Sequence, residues 1–145
     1  MKIAFSAKHK KIFQQMGIQT IYLFGSQANN TAHSLSDVDL GIVLQEPEKH
    51  RASTMDIYLK LYDIFTDVLP KDYLKRRFQL RAHEFDIVFL QFTPIKLQFE
   101  AIKNKKVLYE TDKIKRLDYE EYVIKRYCDL QFIFQLDEQA ILARI

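Results

Sequence analysis

The apolar residues of the chain show the two-residue period of β-strands in three short stretches. Residues 18–24 (IQTIYLF) are rich in β-branched and aromatic side chains, as strands usually are. In residues 38–44 (VDLGIVL) every second position is apolar, which predicts a strand with one buried face. Residues 85–92 (FDIVFLQF) carry a single charge, Asp86, and predict a third strand. Residues 107–109 are a candidate for a short edge strand.

Four further segments space their apolar residues three or four apart, which is the period of an α-helix. Gly17 suits the left-handed position after the first of these helices. Ser53 is a plausible N-cap of the second, and Pro70 should end it. The four predicted helices are residues 6–16, residues 53 to about 69, a helix opened by Pro94, and residues 113–145.

The C-terminal helix carries more apolar surface than one helical face can bury in its own domain. Residues 130–136 (LQFIFQL) are apolar on more than one side. We therefore expect this stretch to be covered both by its own domain and by another chain. A strand is the less favoured alternative here. The apolar surplus consists of Leu130, Phe132, Ile133, Phe134 and Leu136.

Composition and charge exclude several classes of protein. At 145 residues, with 48% hydrophobic and 13% aromatic residues, the chain should form one globular domain rather than a disordered one. A net charge of +3 gives little support to nucleic-acid binding. No run approaches the roughly 18 apolar residues of a membrane span, so we expect a cytoplasmic protein. The single cysteine, Cys128, excludes an internal disulfide, and we expect it to be a packing residue.

The segment between the first two strands carries the candidate chemistry. Gly25, directly after the first strand, allows a tight turn and lets a phosphate approach the backbone, and Ser26 adds a hydroxyl and an N–H. Asp37 and Asp39 should project from the same face of the second strand. Two carboxylates placed this way can hold two Mg²⁺ ions for in-line phosphoryl displacement. Asp86 is the candidate for a third carboxylate, which would draw a proton from the attacking hydroxyl.

Each of these features is common when it occurs alone. A Gly-Ser pair after a strand is usually a turn, and Asp-x-Asp is usually a loop or a cap. Their combination at a spacing of ten residues, with a predicted strand on each side, favours a nucleotide and metal site.

This arrangement resembles the nucleotidyltransferase superfamily. It consists of Gly25-Ser26, ten residues, Asp37-Val38-Asp39, and a later strand that bears Asp86. That superfamily includes DNA polymerase β and kanamycin nucleotidyltransferase. The short length and the continuation FDIVFLQFTPIKLQFEAIKNKKVLYE are most similar to the minimal group, the MNT antitoxins encoded beside HEPN-domain ribonuclease toxins. The resemblance covers residues 18–110 well and the last helix only loosely.

The resemblance implies an α/β (α+β) fold with a small mixed β-sheet flanked by helices. It implies one nucleotidyltransferase domain over residues 1–145, with a core of about 18–110 and residues 113–145 as a possible partner interface. Gly25 and Ser26 would contact the triphosphate of ATP, while Asp37, Asp39 and Asp86 would hold two Mg²⁺ ions. The implied reaction transfers AMP from ATP to a tyrosine of a HEPN-type toxin, in a possible hetero-oligomer, and silences its ribonuclease.

Two departures from the family pattern change the expectations. Many minimal members carry Ala-Arg-Gly shortly after the Gly-Ser pair, whereas this chain has Ala28-Asn29-Asn30. The triphosphate should therefore be held more weakly, or by another basic residue such as Lys75, Arg76 or Arg77. HEPN ribonucleases carry Arg, four residues, then His, and no arginine here has histidine at that distance, so the chain is not the toxin.

Three hypotheses of different classes follow. The leading one is an antitoxin that adenylylates its partner protein. The second is an enzyme of the same chemistry that acts on a small molecule or an RNA end, although such enzymes usually need a further domain to hold the acceptor. The third is a non-catalytic subunit that neutralises a partner by covering it, which gives no reason for three clustered carboxylates.

Overall fold

The computed structural model describes residues 3–25, 38–69 and 85–144 and shows a four-stranded sheet with helices on both faces. The Pro47–His50 and Leu90–Phe92 segments form single turns of 3₁₀-helix. The regular elements in chain order are α1 (Ala7–Gln15), β1 (Ile18–Phe24), β2 (Val38–Leu44), α2 (Met55–Val68), β3 (Phe85–Phe89), α3 (Ile95–Lys103), β4 (Lys106–Glu110) and α4 (Lys113–Ala143).

The sheet is mixed, as the resemblance implied. Its strand order is β3-β2-β1-β4, with β1 antiparallel to both of its neighbours and β2 parallel to β3. Parallel neighbours need a crossover connection, and α2 lies in the segment that joins β2 to β3. The start of β2 and the start of β3 therefore lie side by side, next to the end of β1.

Side-chain alternation in the central strands builds one core on each face of the sheet. On the first face, Ile21 and Leu40 pack with Phe13 of α1 and Leu61 of α2. On the second face, buried residues of the strands pack against α3 and α4. The strands contribute Tyr22, Phe24 and Val43, α3 contributes Ala101 and Ile102, and α4 contributes Val123. Both faces of β1 and β2 are covered, so a charged side chain on either strand needs a specific reason.

The strand predictions are confirmed at both ends for β1 and β2, and the edge strand is confirmed as β4. The third strand is shorter than predicted because it ends at Phe89 and the chain then turns into a 3₁₀-helix. The side chain of Gln91 takes over the pairing: its Nε2 donates to the carbonyl of Leu44 at 2.9 Å, and its Oε1 accepts from the N–H of Leu44 at 2.7 Å. A side-chain amide thus continues the ladder where the backbone leaves it.

The helix predictions are confirmed with small shifts at the ends. Ser6 caps α1, and Gly17 after it has φ +74°. The cap position of α2 is Thr54 rather than Ser53, although the Ser53 hydroxyl accepts from the N–H of Met55 at 3.2 Å. The C-terminal segment is a helix, and the alternative of a strand there is wrong. Pro70 and the basic residues proposed to hold the triphosphate lie outside the described residues.

A buried cluster of charges attaches α4 to the sheet. Glu120 is only 5% exposed and accepts from Arg116 Nη1 at 2.8 Å and pairs with Lys105 Nζ at 2.9 Å. Arg116 also donates to Glu110 of β4. Burial, with a further contribution from the charge of Glu120, raises the pKa of Tyr22 on β1, so this phenol stays protonated.

The outer side of α4 does not match one prediction. Cys128 was expected to pack inside the protein, but it is exposed on this helix. The inner face of α4 near Cys128 is formed by other residues, such as Val123 and Tyr127, the latter stacked on Phe99 with ring centroids 3.9 Å apart. Among the residues that the structure describes, no helix combines the length and the apolar character that a membrane crossing requires.

Candidate active site

Gly25 lies at the end of β1 in a conformation that favours glycine. Its φ is +75°, in the left-handed region that residues with a side chain rarely adopt. A Cβ atom at this position would come within 2.6 Å of Asp39 Oδ2. The backbone conformation of the turn therefore favours glycine, and the turn places the Asp39 carboxylate directly against the backbone of Gly25.

Asp39 and Asp86 are direct partners across the parallel pair of β2 and β3. Their neighbours Leu40 and Ile87 point to the α1–α2 face of the sheet, so both aspartates project towards the other face. Asp39 is half-buried and Asp86 is exposed. The two carboxylates and Gly25 thus form one group at the end of the sheet where β1 ends and β2 and β3 begin.

The electrostatics of this group are unfavourable for a bare carboxylate. Burial, and secondly the negative charge of Asp86, raise the pKa of Asp39 above its ordinary value. Among the described residues, no ion pair involves either aspartate. A cation bound between them would offset both costs, because it would replace the lost hydration and screen the repulsion.

The donor atoms fit a hard divalent cation. Both side chains offer carboxylate oxygens only, which is the donor type that Mg²⁺ prefers, whereas zinc sites usually include His or Cys. In the described ranges no group of three or more His, Cys, Asp or Glu side chains comes together. A complete site would therefore need a further ligand, either Asp37 or oxygen atoms of a bound nucleotide.

Gly41 supports the site from inside β2, and the sequence reasoning did not assign it a role. A Cβ atom on Gly41 would approach Leu90 Cδ1 to 2.9 Å and Phe24 Cε1 to 3.3 Å. Phe24 is the residue before Gly25 and pairs with Asp39 across the ladder. A larger residue at position 41 would therefore crowd the side chains of Leu90 and Phe24, beside the turn that carries Gly25. The available signal was a glycine inside an otherwise apolar strand, which often marks close packing.

The structure brings together three of the five residues predicted for the site. Gly25, Asp39 and Asp86 are neighbours. Ser26 and Asp37 lie outside the described residues, so their predicted roles stay predictions.

Comparisons with solved structures show which proteins share this fold. One match is a toxin–antitoxin complex with AMP-PNP, at 21% identity and TM-score 0.61, covering 91% of this chain and 94% of that chain. A second is the MNT antitoxin complexed with the tri-AMPylated HEPN toxin of Shewanella oneidensis, at 20% identity and TM-score 0.52, covering 91% of both chains. A third is the toxin–antitoxin MntA–HepT, at 18% identity and TM-score 0.55, covering 91% of this chain and 92% of that one.

Comparison with families of known proteins gives the classification. No curated protein matches the chain. The family model described as polymerase beta, nucleotidyltransferase matches residues 7–114, which include both the Gly25 turn and the two aspartates. The chain therefore belongs to the polymerase β nucleotidyltransferase family.

Proposed function

We propose that this protein is an antitoxin that transfers AMP from ATP to a tyrosine of a HEPN-type partner toxin and thereby silences the toxin. The observation that carries the proposal is the placement of Gly25 against Asp39, with Asp86 directly opposite Asp39 on the parallel strand. Such a group at the end of a strand is suited to holding a polyphosphate and activating a hydroxyl beside it.

The fold relatives support the choice of nucleotide and acceptor. One was solved with AMP-PNP, an analogue of ATP, and another was solved together with a HEPN toxin that carries AMP. Asp86 is exposed among the residues that the structure describes. An exposed carboxylate suits an acceptor side chain that is presented on the surface of another protein.

Each residue of the group has a distinct role in the proposal. The backbone of Gly25, with Ser26, would face the triphosphate, because no side chain separates the turn from an approaching phosphate. Asp39 would hold the metal ions together with Asp37 and Asp86. When bound, two Mg²⁺ ions supply charge stabilisation for the phosphates and lower the pKa of the attacking hydroxyl.

In the proposed reaction these residues position the two reactants and accept the proton. Asp86 accepts the proton of the tyrosine hydroxyl, and the phenolic oxygen attacks the α-phosphorus of ATP. A new P–O ester bond forms as the bond to the bridging oxygen breaks, and pyrophosphate leaves on the opposite side. In this scheme residues 18–110 carry the chemistry within a single domain of residues 1–145. Because the proposed reaction uses ATP and acts on a ribonuclease, we expect it to take place in the cytoplasm.

Mass spectrometry of the partner after incubation with ATP and Mg²⁺ tests the proposal. The partner should gain the mass of AMP on a tyrosine and lose its ribonuclease activity. Asp86→Asn should slow the transfer by about 10²–10⁴-fold because the general base is lost. Asp63→Asn, which changes an exposed aspartate of α2 in the same way, is the matched control and should transfer at the wild-type rate.

Three outcomes would contradict parts of the proposal. Neutralisation without any mass change would show that the chain acts by covering its partner. AMP found on a small molecule or an RNA end, with the partner unmodified, would replace the acceptor. An undiminished rate for Asp86→Asn would remove this residue from its assigned role.

A further inference from the structure

Lys105 lies at the same end of the sheet as the carboxylate group. β4 runs antiparallel to β1, and its first residue, Lys106, pairs with Leu23. One position further towards this end, the same register puts Lys105 opposite Phe24. Phe24 pairs on its other side with Asp39 of β2. Asp39, Phe24 and Lys105 therefore form one row across the end of the sheet.

Two observations place the side chain of Lys105 on the face that carries the carboxylates. Residues directly opposite each other on neighbouring strands project to the same face, and Phe24 packs in the core on the α3–α4 face. Lys105 Nζ also forms an ion pair with Glu120 of α4, 2.9 Å from Oε1. Neighbouring strands lie about 4.8 Å apart, so two strand spacings, about 10 Å, separate the backbones of Lys105 and Asp39. The Gly25 turn, at the end of β1, lies between them.

The ion pair between Lys105 and Glu120 can be exchanged for a contact with another anion. Glu120 Oε1 has no partner with hydrogen-bond geometry among the described residues, so its contact with Lys105 is an ion pair only. Glu120 keeps a second partner, because Arg116 Nη1 lies 2.8 Å from its Oε2. The Lys105 side chain is 31% exposed, and its four-carbon stem is flexible. The ammonium group can therefore leave Glu120 without leaving a buried carboxylate unpaired.

The residues around the Gly25 turn bring no fixed positive charge of their own. Residues 25–40 contain no lysine or arginine, whereas Asp37 and Asp39 add negative charge. Metal ions bound by the carboxylates would neutralise a triphosphate on the β2 side of the turn only. A cation on the other side of β1 would stabilise the remaining charge through charge-assisted hydrogen bonds. Among the residues that the structure describes, Lys105 is the basic residue opposite the last position of β1.

We infer that Lys105 binds the phosphates of the nucleotide and that Glu120 holds its ammonium group when no nucleotide is bound. On binding, the ammonium group moves from the Glu120 carboxylate to the phosphates, and Arg116 remains as the partner of Glu120. The class of the ligand, a nucleoside triphosphate, rests on the proposed function. The position of the cation rests on the strand register and on the ion pair with α4.

Titration calorimetry of the chain with AMP-PNP and Mg²⁺ tests this inference. Lys105→Ala should weaken binding by about 10–100-fold, as expected when a hydrogen bond to a charged group is lost. Lys105→Arg keeps the charge and should recover most of the affinity. Lys106→Ala is the matched control, because Lys106 carries the same charge but pairs with Leu23, which packs on the α1–α2 face, and so projects away from the site. This control should bind within about threefold of wild type.

A second variant separates phosphate binding from an effect on the packing of α4. Lys105→Ala and Glu120→Gln both break the ion pair between these residues, so both should lower Tm. Glu120→Gln, however, keeps the ammonium group and removes the carboxylate that competes for it. This variant should therefore bind AMP-PNP as tightly as wild type or more tightly. Equal losses of affinity in Lys105→Ala and Glu120→Gln would show that the ion pair acts only through packing, which would overturn the inference.

The same measurements distinguish this inference from the proposed function. If AMP-PNP binding depends on Lys105 but the partner toxin gains no AMP, the proposed acceptor is wrong and the phosphate contact stands. If AMP transfer by the wild type is normal and Lys105→Ala binds AMP-PNP like wild type, only the phosphate contact is wrong. Absence of AMP-PNP binding by the wild type would refute the phosphate contact directly.

Discussion

Two glycines with nearly the same backbone conformation allow the candidate site to be tested against a matched control. Gly17 has φ +74° and Gly25 has φ +75°. A Cβ atom on Gly17 would meet no atom within 4 Å, whereas a Cβ atom on Gly25 would lie 2.6 Å from Asp39 Oδ2. Gly17→Ala and Gly25→Ala therefore introduce the same backbone strain, and only the second disturbs the carboxylate.

The expected magnitudes follow from these geometries. Alanine at positive φ should lower the free energy of unfolding by about 1–2 kcal/mol in both variants. For a chain of this size each kcal/mol corresponds to about 2–4 °C in Tm. In Gly25→Ala the contact must also lengthen from 2.6 Å to the ordinary van der Waals range, which begins at 3.4 Å. A displacement approaching ~1 Å in a metal-binding carboxylate should slow AMP transfer by about 10²-fold.

Thermal melts and rates of AMP transfer, measured on both variants, check this reasoning. The melts should show similar losses of stability, because the Asp39 side chain can rotate away at little cost. The transfer rates should differ, with Gly17→Ala close to wild type and Gly25→Ala strongly reduced. Equal transfer rates in the two variants would show that the Gly25 turn is only a connection between strands.

Two further perturbations probe the carboxylate group and the charged cluster. The folded-state pKa of Asp39 is raised, so the stability that this group contributes falls as pH rises from the ordinary aspartate pKa through the raised value. Without metal, Asp39→Asn should therefore unfold at an equal or higher temperature than wild type at neutral pH. The variant should also lose most of the upward Tm shift that Mg²⁺ with a non-hydrolysable ATP analogue gives the wild type. An unchanged shift in Asp39→Asn would exclude this residue as a metal ligand. Glu120→Ala should lower the free energy of unfolding in urea by about 2–3 kcal/mol, because Arg116 and Lys105 lose a buried partner. The loss should not be larger, because Lys105 is partly solvated. Glu121→Ala, which breaks only an exposed pair, is the control and should leave the urea midpoint unchanged; equal midpoints for the two variants would show that the buried cluster does not stabilise the fold.

The central strands could be predicted from the sequence because burial on a sheet imposes a period that few other structures share. β1 and β2 match their predicted ends at both sides. The third strand was predicted three residues too long, since its apolar run continues through Leu90 to Phe92 while the backbone leaves the sheet. An apolar pattern reports burial, not hydrogen bonding, and it cannot show that the side chain of Gln91 pairs with Leu44 in place of a strand.

The charged contacts of α4 could not be predicted for a related reason. Arg116 and Glu120 are four residues apart, and such a pair on a helix usually lies on a solvated face. Here the pair is buried because Lys105 and Glu110, which lie before α4 in the chain and are not part of its helical pattern, pack against it. Lys105 pairs with Glu120, and Glu110 pairs with Arg116. Only the tertiary structure distinguishes this cluster from the exposed pair of Glu121 and Lys125.

Several features that conflict with a stable fold meet at one end of the sheet. A glycine is held at positive φ against a carboxylate, that carboxylate is half-buried with a raised pKa, and a second carboxylate is its direct partner on the next strand. Elsewhere in the described sheet, β1 and β2 carry apolar residues at nearly every buried position. Local features that destabilise a fold are retained where they contribute to binding or catalysis. The cost at Gly25, Asp39 and Asp86 is therefore the physical reason to place the chemistry there, while the exposed apolar end of α4 conflicts with solubility rather than with folding, and its covering by another chain stays a prediction.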